Sequence, residues 1–174
     1  LAGRDRRMVL EVLPVTERLP SFTVRPATAH DAVTLAALRN AMFLELGNPP
    51  SRGHQAAYED LAAATFEAGL DDGFCLAWLA ETADRRPVGS VALLVFPRLP
   101  SPDSIARQEG YLLNVYTTPD ARGRGIATAL VAAAIAKARD LKLGRIRLHA
   151  TPQGRSVYAE AGFAPRHDEM ELRL

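Results

Sequence analysis

The chain has 174 residues, enough for one domain with a substantial core, and its 48% hydrophobic and 24% charged composition is that of a globular protein. A formal net charge of +1 gives no bulk electrostatic reason to expect nucleic acid or an anionic membrane as a partner, so any partner must be argued from a site. One cysteine, Cys75, excludes an intrachain disulfide, and with no Cys/His spacing of metal-ligand type and no stretch near the roughly 20 apolar residues that span a bilayer, the chain reads as cytoplasmic and metal-free.

The first residues, "LAGRDRRMVLEVL", put basic residues before a short apolar patch, but Glu11, Pro14 and Glu17 interrupt it too early for a signal peptide. Residues 1–20 read as an N-terminal arm, flexible or an artefact of the start site, ahead of a domain over 21–174. "FTVRP" (22–26) predicts a strand closed by Pro26. Thr28 lies three residues before Asp31, as in a capping box, and Leu35, Leu38, Met42 and Leu46 follow at helical spacing until Gly47, Pro49 and Pro50. A second helix is expected from about His54 to Ala68, ending at Gly69, with "DDG" (71–73) as a turn. "FCLAWLA" (74–80) and "VGSVALLVF" (88–96) predict a hairpin, with Cys75 in its apolar core.

After a Pro- and Ser-rich loop over 97–109, "GYLLNVYTT" (110–118) predicts a buried strand and "GIATALVAAAIAKARD" (125–140) a helix. "RIRLHA" (145–150) then reads as a strand, "TPQGRSVYAEAG" (151–162) as a short helix, and "MELRL" (170–174) as a last strand. The order β-α-α-β-β-β-α-β-α-β is that of a mixed α/β domain without internal repeats.

Between the strand at 110–118 and the helix at 125–140 lies "PDARGRG", where two glycines alternate with two arginines. A strand feeding a helix through such a turn leaves the first N–H groups of the helix without intrahelical partners at the positive end of its dipole, which makes an anion site. Gly123 and Gly125 let the backbone approach phosphate oxygens, and Arg122 and Arg124 add charge at the rim. Ile126, Leu130, Val131, Ala134, Ile135 and Ala138 form an apolar stripe that would fix the helix on the sheet. The glycine spacing matches neither Gly-x-x-x-x-Gly-Lys-Ser/Thr nor Gly-x-Gly-x-x-Gly, which disfavours a nucleotide hydrolase or a nicotinamide dehydrogenase.

"NVYTTPDARGRGIATAL" resembles the acyl-CoA-binding signature of the GNAT superfamily of N-acetyltransferases, Arg/Gln-x-x-Gly-x-Gly/Ala, here Arg122, Gly123, Arg124, Gly125, Ile126 and Ala127. "FTVRPATAHDAVTLAALR" is similar to the family's first strand and helix, and "VYAEAGF" (157–163) to its Tyr-x-x-x-Gly-Phe segment. The resemblance implies an α/β (α+β) fold with a mixed, mostly antiparallel central sheet flanked by about four helices, and acyl-CoA bound where the central strands splay. It implies backbone amides from Arg122 through Ala127 on the coenzyme A pyrophosphate, with Thr128 adding a hydroxyl. Backbone groups of Val115, Tyr116 and Thr117 would pair with the pantetheine amides, and an N–H there would polarise the acyl carbonyl. Tyr116 itself reads equally as a core aromatic.

Tyr158 matches the tyrosine that in many relatives protonates the departing thiolate, which suits a phenol with an ordinary pKa of about 10; the competing reading is a core tyrosine. Many relatives carry Asn seven residues earlier, where this chain has Thr151, so that position's contact to the pantetheine arm is not carried over. Three general bases stay open: Glu109, two residues before the matching glutamate position at Tyr111; His149 at the end of the next strand; and a water chain. The function is then either direct transfer of an acetyl group from acetyl-CoA to an amine of a small molecule or peptide, or an acyl-CoA sensor that does not turn over. Cys75, outside the inferred site, gives no support to a covalent thiol intermediate, and the acceptor side is expected from the first two helices and the 97–109 loop. Homodimerisation is left open.

Overall fold

The computed structural model of the protein describes residues 22–51, 53–166 and 170–172. The expected arm over 1–20 lies outside the described residues. Strand β1 (Phe22–Pro26) leads into helix α1 (Ala32–Glu45) through a short 3-10 turn, where Asp31 Oδ2 accepts hydrogen bonds from the Thr28 N–H at 2.8 Å and the Thr28 hydroxyl at 3.2 Å. Asp31 also takes two hydrogen bonds from Arg25, at 2.9 and 2.8 Å, and Arg25 bridges on to Glu81. The first turn is therefore tied to the sheet by charge as well as by capping.

Helix α2 (Gln55–Asp72) runs past Gly69, where the spacing predicted a stop. A Cβ at Gly69 would lie 2.7 Å from that of Cys75, so this glycine serves helix-to-sheet contact, and the helix ends at Gly73, whose φ of 76° is left-handed. Strands β2 (Cys75–Thr82), β3 (Pro87–Pro97) and β4 (Gln108–Thr117) follow, then helix α3 (Ile126–Asp140), strand β5 (Ile146–Arg147) and helix α4 (Arg155–Glu160). The sheet order is β1-β2-β3-β4-β5, antiparallel except for the β4–β5 pair.

Because β2 and β3 are covered on both faces, they read as nearly continuous apolar runs. Cys75, Ala77 and Leu79 meet α1 and α2 on one face, whereas Trp78 and Ala80 pack towards α3 on the other. Leu35, Leu79, Leu93, Leu112 and Leu130 are almost wholly buried, each contributing about 1.5–3 kcal/mol of hydrophobic stabilisation. Among the described residues, no helix is long and apolar enough to cross a membrane.

Two expected strands differ from the structure. Of 145–150 only Ile146 and Arg147 pair with β4, because the two strands diverge immediately afterwards. Residues 170–172 of the expected last strand are not in a strand, and Met170 and Leu172 face solvent; alternation alone cannot make a strand without a neighbour to bond. Residues 173 and 174 lie outside the described residues.

Candidate active site

The β4–β5 divergence makes a wedge. Gly110 pairs with Ile146 and Tyr111 with Arg147, after which β4 continues to Thr117 bonded to β3 on one side only. Six residues at about 3.3 Å each leave roughly 20 Å of strand edge open, enough to receive an extended chain of amides. Val115, Tyr116 and Thr117 lie on this stretch, and the buried Thr117 hydroxyl has no hydrogen-bond partner among the described residues.

Within the open stretch β4 is bulged. Ser90 pairs with Tyr116 but Ala92 with Leu113, so Asn114 and Val115 together oppose Val91. Asn114 takes up the extra residue with φ 53°, a left-handed conformation that asparagine tolerates better than most residues. Its side chain is thereby set on the α1–α2 face next to that of Leu113.

At the end of β4 the chain turns through Pro119–Ala121 into α3. Gly123 (φ 73°) and Gly125 (φ 77°) are both left-handed, and a Cβ at either would meet nothing within 4 Å, so the space above the turn is open. Gly125 is the N-cap of α3 and brings no side chain, so the N–H groups of Ile126, Ala127 and Thr128 face that space as a positively polarised end. Of the two arginines expected at the rim, Arg122 is engaged by an acidic partner. Arg122 turns back to α1, pairing with Glu45 at 2.6 Å and donating to the Thr117 carbonyl at 3.1 Å; Arg124 donates to the Asp120 carbonyl at 3.0 Å. Glu45 also accepts from the Tyr116 hydroxyl at 3.2 Å. The Tyr116 ring is buried in the α1–α2 cluster, and burial, with the nearby Glu45 charge, pushes its phenol above its ordinary pKa.

The candidate acid and bases occupy different places. Tyr158 on α4 packs with Val157, Ala161 and Phe163 on the α3 side of the sheet, edge-on to the Phe163 ring at 5.9 Å. Burial raises its pKa, which keeps the phenol protonated at neutral pH. Thr151 caps the turn leading to α4 by accepting from the Gly154 N–H at 3.3 Å. His149, exposed just beyond β5, has its Nδ1 hydrogen-bonded to the Tyr111 hydroxyl at the apex of the wedge. Tyr111 and Leu113 share the α1–α2 face, so this pair stands on the opposite face from Tyr158.

Glu109 lies at the far end of β4 from Thr117, buried and ion-paired to Arg145 at 2.6 Å and Arg147 at 2.5 Å, with Arg98 at 3.8 Å. Burial opposes its ionisation, but the Arg145 hydrogen bond and the Arg147 and Arg145 charges outweigh it and hold the carboxyl below its ordinary value. That arrangement makes it a poor proton acceptor.

A cavity of about 330 Å³ opens between α1, α2 and the sheet. Arg39, Tyr58, Asn114 and Thr65, whose hydroxyl donates to the Leu61 carbonyl at 2.7 Å, supply its polar lining, and Leu61, Phe66, Phe74, Leu94 and Leu113 much of the apolar remainder. No residue from the 97–109 loop lines it; Arg98 instead donates to the Ser101 hydroxyl and its N–H bonds to the Arg107 carbonyl. Cys75, expected outside the site, is in the cavity wall, but burial pushes its thiol up to about 11 and keeps it protonated at neutral pH.

The sequence profile of the Acetyltransferase (GNAT) family matches residues 37–163, which take in the open edge of β4, the glycine turn, α3 and Tyr158. The chain belongs to that family. Among solved structures, a GCN5-related N-acetyltransferase from Ralstonia eutropha JMP134 is 30% identical, with a TM-score of 0.77 over 88% of this chain and 99% of that one. A predicted acetyltransferase from Clostridium acetobutylicum, solved with acetyl-CoA, is 25% identical, with a TM-score of 0.79 over 88% of this chain and 96% of that one. A ribosomal-protein-alanine N-acetyltransferase from Brucella melitensis biovar Abortus 2308, 23% identical with a TM-score of 0.65 over 88% and 99% of the two chains, shares the fold. No curated protein gives a significant match.

In this family member, the residues that sequence reasoning passes over are Arg39, Tyr58 and Asn114. Arg39 and Tyr58 are ordinary polar residues on amphipathic helices, with no motif around them. Asn114 carried a readable signal: a lone asparagine between Leu113 and Val115 in an apolar strand is a misfit that a bulge explains.

Proposed function

We propose that the chain is an N-acetyltransferase that takes the acetyl group of acetyl-CoA and passes it directly to an amine. The observation that carries this reading is the continuous path from the open edge of β4 into the open turn at Gly123 and Gly125 and the exposed N-terminus of α3. The turn has room for a diphosphate, because its left-handed φ values favour glycine and the space beside each Cα is empty. With Arg122 neutralised by Glu45, the backbone N–H groups and Arg124 would hold the anion, and Val115, Tyr116 and Thr117 would bond the pantetheine amides.

Bound there, acetyl-CoA supplies an acetyl group activated as a thioester. A β4 backbone N–H beside the bulge stabilises negative charge developing on the carbonyl oxygen. On the α1–α2 face, the Tyr111–His149 pair receives the amine's proton: in the tautomer whose Nδ1–H donates to the Tyr111 oxygen, His149 Nε2 is the acceptor. On the opposite face, the protonated Tyr158 phenol donates to the departing sulfur. One N–C bond forms as one C–S bond breaks, and no protein nucleophile takes part. Glu109 is excluded from this reading by its arginine pairs.

The test is release of free thiol from acetyl-CoA in the presence of amino acids, polyamines, aminoglycosides or peptide N-termini. Release is expected only when a suitable amine is present, because both substrates must be bound at once. Tight acetyl-CoA binding without release across the panel would overturn transfer in favour of a sensor.

A further inference from the structure

We infer that the cavity between α1, α2 and β4 is the acceptor pocket, and that it selects an α-amino acid with a free carboxylate and an apolar side chain. This assignment rests on the acetyl-transfer reading for the fate of the amine, but its binding chemistry rests on the cavity alone. Arg39 Nη1 donates to Asn114 Oδ1, which orients the amide: a guanidinium has no acceptor, so the oxygen must face it and Nδ2 must point away. Asn114 is only 5% exposed, and its Nδ2 has no partner among the described residues; the buried Tyr58 hydroxyl is in the same position. The polar end of the cavity thus presents the two N–H groups of Asn114, the Arg39 cation and a tyrosine hydroxyl, and no carboxylate lines it.

Buried donors without partners are costly, and a cluster of them beside a fixed positive charge calls for an anionic oxygen ligand. A carboxylate satisfies it, taking Asn114 Nδ2 on one oxygen and Arg39 on the other, with the Tyr58 hydroxyl as a further donor. The remaining wall, including Phe66, Phe74, Leu94 and Leu113, is apolar apart from Thr65, whose hydroxyl is bonded to the Leu61 carbonyl, and suits a branched or aromatic side chain. At about 330 Å³ the volume sits at the low end of small-ligand pockets, of the order of 300–1,000 Å³, which favours a single amino acid over a longer chain.

Asn114 also belongs to the bulge on the open stretch of β4. In an α-amino acid, amine and carboxylate share one carbon, so anchoring the carboxylate at Asn114 keeps the amine beside the strand that receives the thioester. Polyamines, aminoglycosides and protein lysine side chains lack that carboxylate and bring a cation towards Arg39, so they are selected against.

Calorimetry on the full chain, with and without acetyl-CoA, tests the inference. L-Phenylalanine and L-leucine are expected to bind at least tenfold more tightly than phenylalaninamide, phenethylamine or spermidine. Arg39→Met should abolish that preference while leaving acetyl-CoA affinity unchanged. Asn114→Asp, which keeps a partner for Arg39 but replaces the donors by a negative charge, should weaken L-phenylalanine by at least tenfold. Equal binding of L-phenylalanine and phenethylamine, or unchanged L-phenylalanine affinity in a folded Arg39→Met chain, overturns it. Spermidine acetylation without amino-acid binding would sink the pocket and leave acetyl transfer standing. Carboxylate-dependent binding with no thiol release would do the reverse, supporting the pocket and removing acetyl transfer.

Discussion

Gly125→Glu separates the structural role of the glycine turn from its binding role. Gly125 is the N-cap of α3 with φ 77°, and a Cβ there meets no atom within 4 Å, so the substitution causes no clash. Its cost to the fold is conformational, about 1–2 kcal/mol for a side chain in the left-handed region, which for a domain of this size lowers Tm by roughly 2–8 °C. The new carboxylate sits at the positive end of α3, an electrostatically favourable place that offsets part of this cost. Binding should suffer much more. Backbone hydrogen bonds to a charged group contribute about 1.5–3 kcal/mol each, so displacing a diphosphate from two of them loses at least about 3 kcal/mol, roughly a hundredfold in affinity. Calorimetric titration with acetyl-CoA beside a thermal melt reads both quantities, and Gly125→Ala, which has the strain without the charge, should fall between parent and Gly125→Glu in affinity while melting no higher than Gly125→Glu. A folded Gly125→Glu chain with parental acetyl-CoA affinity would refute the cradle.

Tyr158→Phe keeps the contact with Phe163 and removes only the proton donor, so turnover should fall by roughly 10- to 10⁴-fold with acetyl-CoA affinity unchanged; normal turnover would return Tyr158 to the core. His149→Gln retains polarity at the wedge apex without a titratable nitrogen and should lower turnover by roughly 10²-fold or more, in steady-state kinetics with any productive amine, without weakening acetyl-CoA. The Asp31 carboxyl is held well below the carboxylate range, chiefly by the Arg25 hydrogen bonds, so its stabilisation is present above the unfolded value of about 3.9 and is lost as pH falls through the lower folded value. Asp31→Asn should therefore cost about 1–2 kcal/mol in urea denaturation at pH 7 and markedly less at pH 2; a gap of constant size would show that the ion pair is not responsible.

Local rules carried much of this protein in its sequence. The Thr28–Asp31 cap, the buried β2–β3 hairpin and the alternation of glycine and arginine ahead of an apolar helix each depend on residues close together in the chain. Whatever needed a distant partner was decided only on folding. The strand expected over 145–150 stops at Arg147 because β4 turns away from it, and that divergence is what opens the wedge. Arg122 was legible as a charge, but its pairing with Glu45, 77 residues away, was not, and this leaves the proposed anion site to backbone N–H groups and Arg124. Glu109 and His149 were both plausible bases in one dimension. Three arginines from other segments surround the first, while Tyr111 holds the second at the apex of the wedge. The acceptor cavity is the extreme case: Arg39, Tyr58 and Asn114 come from two helices and a bulged strand, and hydrogen-bond direction and burial, which no spacing encodes, turn them into one recognition surface.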